Sequence, residues 1–450
     1  SDPDLVGAPE RGTELISQAS IPEALRSAIT ERDRQAWAYG TLVYEGGVTK
    51  PGLIVGSPVT IPRVGAYELY LLFPLDKEQE TIDLIRQAVS ITGIILLIGL
   101  AILAWFVTSL AHASRLRSWH DRLKSKLEEL LARGHSVVGV DNYSKYGRIS
   151  KSYDSQPNYH FVEGDATNVD LMTELLMDCD HVIAGAALIG GISYFHAYAY
   201  DLLANNERIL ASTCDAAIRA HRQGKLQKVT YLSSSMVFES TTTWPSVEGD
   251  ERRVPPPLSS YGFQKLAVEY FAKAAWDQYK LPYTIVRPFN AVGVGEGRAL
   301  GEVEILSGNV KLAMSHVVPD IVQKILKQQD PLHILGDGKQ VRHYTYGGDL
   351  AKGIATCMEH PDALNEDFNI STAESTSVLE LAEVIWKKIK GPDAPFRYVS
   401  DEAYEYDVQK RVPSVEKAKK VLNFECKTGL SEMLDEVIPW IQQAMDEGKI

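Results

Sequence analysis

The sequence predicts an α/β protein built on a doubly wound parallel sheet. Three observations predict it. Strand-sized apolar runs ("SVVGVD", "HVIAGAAL", "KVTYLSSS", "YTIVRP") recur from about Leu127 to Ile450. Helix-length runs stand between them, such as "ERILASTCDAAIRAHRQ" and "YGFQKLAVEYFAKAAWDQYK". Several strand runs end in small, acidic or hydroxyl residues, the types found where open sheets place their sites. Strands alternating with crossover helices give a parallel sheet covered on both faces.

Bulk composition narrows the class. The net charge of -13 argues against nucleic acid as a partner, because that footprint would be basic. Cys179, Cys214, Cys357 and Cys426 are scattered, so neither a disulfide framework nor a zinc site is expected. No histidine pair has HExxH spacing, and no metal is expected. The chain opens "SDPDLVGAPE" without Met and without a signal peptide, and reads as a fragment or a processed product. Neither internal repeats nor low-complexity tracts are visible.

Four segments follow in order. Residues 1–88 alternate short apolar runs with Pro and Gly, which suggests a small mixed domain. Val89–Leu110, "VSITGIILLIGLAILAWFVTSL", carries no charge over about 22 residues, enough to cross about 30 Å of hydrocarbon as a helix. A buried core helix is the alternative. Residues 111–126 are basic (Arg115, Arg117, Arg122, Lys124, Lys126), whereas Asp76, Glu78, Glu80 and Asp83 precede the apolar run. That asymmetry predicts a single-pass, membrane-anchored chain with its C-terminal part in the cytoplasm. Residues 127–450 form the α/β part.

"LEELLARGHSVVGVDN", Leu127–Asn142, reads as a helix end, a turn at Gly134, a short strand and an acid at the strand's tip. This is the second half of a dinucleotide-binding βαβ unit. The first half, a strand and a glycine-rich turn, belongs just upstream. "WFVTSLAHASRLRSWHD" stands there and contains no glycine.

The sharpest chemical signal is "SSYGFQKLAVEYFAKAAW". Tyr261 and Lys265 are four apart in a helical stretch and share a face. A phenol ionises near pH 10. A cation one turn away favours the phenolate, which makes Tyr261 a candidate base. Taken alone, the spacing more often marks a solvated helix face. The strand "KVTYLSSSMVF" upstream changes that, because it ends in hydroxyls that can bind a substrate oxygen.

Together these motifs resemble the extended short-chain dehydrogenase/reductase family, the NAD-dependent sugar-nucleotide epimerases and dehydratases. The resemblance covers about Leu127 to the C-terminus. It implies a Rossmann-like fold with a smaller substrate lobe, drawn mainly from about residues 291–340 and 391–450. It implies NAD as cofactor, a nucleotide-sugar substrate and a homodimer through the helices of the domain. Counting back from "MVF" puts Ser234 at the catalytic hydroxyl position, beside Tyr261 and Lys265. Asp141 with Asn142 matches the ribose-binding acid, and Asp165 with Ala166 matches the adenine contact. Gly185, Ala186 and Ala187 match the small-residue turn beneath the cofactor. Asn206 and Pro288 complete the cofactor set, although Glu207–Ile209 replace the small residues usual after that Asn. Ser235, Asn290, Val318, Arg342 and Asp407 fall at substrate positions, with Arg342 on the diphosphate.

The implied reaction removes a hydride and a proton from a sugar and later returns them. Dehydratase relatives carry an Asp–Glu pair where Ser235 and Met236 stand, and decarboxylase relatives carry a Glu at Met236. An epimerase similar to UDP-glucose 4-epimerase therefore fits best. A weakly catalytic binding module is the alternative, because the glycine turn is missing. Residues 1–110 resemble the sensor region and transmembrane helix of an actinobacterial two-component histidine kinase. A sensor fragment joined to the α/β domain is thus a further reading, although no phosphoacceptor or kinase nucleotide-binding motif follows.

Overall fold

Runs rich in Val, Ile, Thr and Tyr become the strands of a computed structural model of the chain. It describes residues 16–32, 34–61, 65–87, 89, 126–190, 197–295, 305–312, 316–403 and 407–450. The chain divides into Ser1–Arg115 and Leu116–Ile450.

In the first unit, helix α1 (Glu23–Arg32) accompanies three antiparallel strands, β1 (Ala36–Val43), β2 (Thr49–Ile61) and β3 (Gly65–Pro74), in the order β1-β2-β3. Gly46 and Gly47 both take positive φ in the turn between β1 and β2, which side chains disfavour. Leu25, Ile29, Leu42 and Ile54 form the core. At Gly56 an added Cβ would lie 1.9 Å from Ile29 Cδ1, so the missing side chain lets α1 sit close on β2.

The predicted membrane anchor is corrected here. Among the described residues no helix is long and apolar enough to cross a membrane. Residues 76–87 are helical but carry Lys77, Glu78, Glu80, Asp83 and Arg86, charges that a hydrocarbon core excludes. Val89–Leu110, apart from Val89, and residues 111–125 lie outside the described residues.

The second unit begins with α2 (Lys126–Ala132), followed by β4 (Val137–Asp141) and β5 (Tyr159–Glu163), which pair in parallel. After α3 (Val169–Leu176) come β6 (His181–Ala184), α4 (Ala199–Gln223), β7 (Lys228–Leu232), α5 (Ser260–Tyr279) and β8 (Tyr283–Pro288). Strands β6, β7, β8 and β9 (Glu366–Ile370) are parallel, in the order β9-β8-β7-β6. β7 is almost wholly buried, as expected of a strand covered on both faces.

A doubly wound sheet of this type places its first strand in the middle. Here β4-β5 and β6-β7-β8-β9 are separate sheets, and among the described residues none pairs with the inner edge of β4 or β6. Val137 of β4 and Ile183 of β6 both pack near Leu130 of α2, so α2 covers the break. The interruption falls where the missing strand and glycine turn belong.

Two apolar clusters organise the rest. Leu210, Ala217, Tyr231, Val268, Ala272 and Ile285 join α4 and α5 to the sheet. Val318, Ile321, Leu332, Leu381, Trp386 and Val437 form a second cluster from α6 (Val317–Leu326), α7 (Val378–Lys390) and α8 (Leu430–Asp446). Ser377 and Glu380 close the start of α7 with a reciprocal capping box.

Candidate functional site

The serines after β7 stand at its carboxyl tip and turn different ways. Ser233 Oγ donates to Glu269 Oε1 at 2.7 Å, behind the site. Ser234 caps a short 3-10 turn, accepting the Met236 amide at 3.2 Å, and is hydrogen-bonded to the Tyr261 hydroxyl. Ser235 is buried. Ser259 Oγ accepts the Gly262 amide at 3.0 Å and starts α5, which fixes Tyr261 in its first turn. Lys265 follows one turn later. Its Nζ donates to the Leu232 carbonyl at 3.0 Å and lies 5.8 Å from the Tyr261 ring centre. Ser234, Tyr261 and Lys265 are therefore together.

The electrostatics differ from the spacing argument. Burial pushes the Tyr261 phenol up, opposed by the Ser234 hydrogen bond and the Arg411 charge. Burial, reinforced by the Lys126 charge, pushes Lys265 down to about 8. Spacing could not anticipate this, because both groups leave water together and Lys265 is aimed at a carbonyl.

The cofactor positions line the carboxyl ends of β4, β5 and β6. Asp141 is exposed at the tip of β4, where Oδ1 accepts the Tyr143 amide at 2.7 Å. Asn142 Nδ2 donates to Asp165 Oδ2 at 3.2 Å. Asp165 also takes the Thr167 amide and hydroxyl, and the three bonds hold its carboxyl below the ordinary range. Ala166 packs against the sheet core. At Gly185 an added Cβ would meet Leu232 Cδ1 at 3.4 Å and Lys126 Nζ at 3.7 Å. Those are ordinary contacts, so Leu232 and the Lys126 ammonium flank the turn Gly185–Ala187. Asn206 is buried and braces that turn, accepting the Leu188 amide at 2.7 Å and donating to the Leu188 carbonyl at 2.9 Å. Pro288 ends β8 beside Ile370. An acid at the β4 tip and a small-residue turn with the Lys126 ammonium beside it fit a dinucleotide, apart from the missing glycine turn.

The substrate positions divide. Asn290 follows β8 at φ 35, a left-handed conformation that Asn tolerates better than most residues. Its Nδ2 is buried without a partner, and its Oδ1 accepts Arg411 Nη1 at 3.5 Å. Arg342 Nη2 donates to Asp407 Oδ1 at 3.1 Å, and Gln340 Nε2 to Asp407 Oδ2 at 2.8 Å. Asp407 thus positions Arg342. Val318 lies in the second apolar cluster and presents no polar group.

Sequence reasoning missed Arg411, Lys126 and the charges behind the site. Arg411 is enclosed near Tyr261, Arg342, Asp407 and Glu239, and burial and the Arg342 charge lower it to about 9. Its stretch, "YDVQKRVPS", has no helix or strand period to mark it. A separate cavity of about 490 Å³, lined by Trp244, His343, Lys410 and Pro413 among others, holds none of the predicted residues.

Parallel strands with this crevice at their carboxyl ends define a doubly wound, nucleotide-binding type of α/β protein. Residues 125–371 match the model of the NAD dependent epimerase/dehydratase family, and the chain belongs to that family. It is 26% identical over 326 residues to an uncharacterised UDP-glucose epimerase of Bacillus subtilis, covering 70% of this chain and 92% of that one. It is 27% identical to a UDP-N-acetyl-alpha-D-glucosaminuronate decarboxylase of Bacillus cytotoxicus, covering 70% and 93%. The solved UDP-glucose 4-epimerase of Thermotoga maritima, with UDP-glucose, superposes with a TM-score of 0.59 at 25% identity, over 71% of this chain and 95% of that one. The family's cofactor is NAD. The family match lies within the second unit, so the sensor resemblance of residues 1–110 rests on sequence alone.

Proposed function

We propose that the chain is a sugar-nucleotide epimerase that inverts a hexose carbon of a UDP-sugar, similar to UDP-glucose 4-epimerase. One observation carries this reading: Ser234, Tyr261 and Lys265 converge at the strand tips, while Ser235 and Met236 are buried without an acid. Tyr261 takes the proton of the sugar hydroxyl, and Ser234 holds that hydroxyl in place. Lys265 supplies positive charge beneath the phenol. Bound beside Asp141, Asp165 and the Gly185–Ala187 turn, NAD supplies a hydride acceptor that later returns the hydride. Arg342, held by Asp407, grips the diphosphate, and Asn290 faces the sugar. Without a second acid, the keto sugar is returned rather than dehydrated. Full-length protein is expected to interconvert UDP-glucose and UDP-galactose; a null result in an assay sensitive to single turnovers rejects this substrate pair.

Arg411 favours a second reading of the substrate. Arg411 lies near Arg342, with Asp407 and Glu239 as nearby carboxylates, and its Nε has no partner. An unpartnered guanidinium N–H beside the base suits an acidic sugar, and a relative from Thermodesulfobacterium geofontis, 23% identical, is a UDP-glucuronate 4-epimerase. A preference for UDP-glucose over UDP-glucuronate that survives Arg411→Met would exclude this reading.

We also infer a domain plan: residues 1–88 as a sensor-like fragment, and 127–450 as the enzyme with a substrate lobe built around the second apolar cluster. Pairing of two copies through α5 is supported by Phe263, Tyr270 and Phe271, which are exposed on that helix. A monomer by light scattering at micromolar concentration rejects the pairing.

A further inference from the structure

The sequence lacks the turn whose amides hold a dinucleotide's pyrophosphate, so something else must meet two negative charges if the crevice takes NAD. Lys126, the first residue of α2, stands at that place. Its Nζ lies 3.7 Å from the point a Cβ on Gly185 would occupy, beside the small-residue turn. The residue is exposed to solvent, while the protein around its ammonium pushes the amine below its ordinary value. Among the described residues it has no carboxylate partner, and desolvation is the one influence on it. Lys265 is the next cation and feels the Lys126 charge directly.

Two ammonium groups that repel each other, one of them beside a small-residue turn, are costly without a counter-charge. An anion between them removes the cost. We propose that Lys126 is the pyrophosphate-binding residue of this chain, a side-chain cation in place of a backbone nest. The inference rests on the assignment of the crevice to NAD and is independent of which sugar is epimerised.

Calorimetry on the full chain tests it, with NAD+ and ADP as probes and UDP-glucose titrated separately. A charge-assisted contact of this kind is worth about tenfold in affinity or more. Lys126→Met is therefore expected to weaken NAD+ and ADP by about tenfold or more, to flatten the salt dependence of both, and to leave UDP-glucose unchanged. Lys126→Arg should recover most of the loss. Anion binding should also draw protons onto Lys265 at pH 8, seen as a buffer-dependent heat that shrinks in Lys126→Met. Unchanged NAD+ affinity in Lys126→Met overturns the proposal. So does equal weakening by Met and Arg with a lowered melting temperature, which marks a packing role, and so does a wild-type chain that binds neither probe at millimolar concentration. Loss of UDP-glucose binding alone would instead count against the epimerase reading.

Discussion

Arg287 grips Glu269 through two hydrogen bonds of 2.7 Å, Nε to Oε1 and Nη2 to Oε2, with both side chains shut away from water. The fork geometry matches the carboxylate, as in the strongest pairs of this type. Glu269 Oε1 also receives the Ser233 hydroxyl. Arg287 meets Asp367 at 2.7 Å and Glu251 at 3.2 Å as well. One buried cluster thus ties β7, α5, β8 and β9 together directly behind Ser234 and Tyr261.

Removing the arginine leaves three carboxylates crowded together with Arg252, Lys273 and Lys417 as the remaining cations. Breaking a buried pair by deleting one partner costs about 3–5 kcal/mol. Arg287→Met is expected to lower the denaturant midpoint of the second unit accordingly. A shift worth less than about 1 kcal/mol would mean that the cluster relaxes and does not hold the sheet.

Tyr261→Phe keeps the ring and removes the proton acceptor. A general base of this kind contributes about 100-fold or more. Turnover of UDP-glucose should fall by at least that factor, with UDP-glucose affinity little changed. Near-native turnover would remove Tyr261 from the reaction.

Lys265 is held at about 8, first by burial and then by Lys126. Its charge is present below that pH and lost above it, so kcat/KM should decline on an alkaline limb beginning near pH 8. Lys126→Met removes a like charge, raises Lys265 and moves the limb upward. A limb at the same pH in both proteins would show that another group controls it.

Burial alone would raise Asp367, but Arg287 and Lys417 outweigh it and hold the carboxyl at about 2. Its folded value lies below its unfolded value near 3.8, so its stabilising contribution is complete above pH 4. That contribution falls away as pH drops toward 2. Urea midpoints from pH 5 to 2 should fall more steeply in the native protein than in Asp367→Asn. Parallel curves would contradict the assignment.

By itself, the sequence determined the parallel α/β fold and the pair Tyr261 and Lys265, which depend on local period: alternating strands and helices, and two residues four apart on one helix face. The family and the choice of Ser234 among the strand-tip hydroxyls came from the resemblance of whole motifs. The missing glycine turn was equally legible as an absence in "WFVTSLAHASRLRSWHD". The apolar Val89–Leu110 run predicted a membrane anchor, whereas among the described residues no helix is long and apolar enough to cross a membrane. Only the tertiary structure decided that Tyr261 is raised rather than lowered, because burial acts through atoms far away in sequence. Only there do Asn206 and Asp407 become braces and Val318 a core residue. Lys126 and Arg411 carry no pattern in the chain; among the described residues Lys126 has no carboxylate partner, and Arg411 Nε is left without a hydrogen-bond partner. Those surroundings arise from residues brought together across the fold, where solvent is excluded and an unpartnered polar group becomes costly.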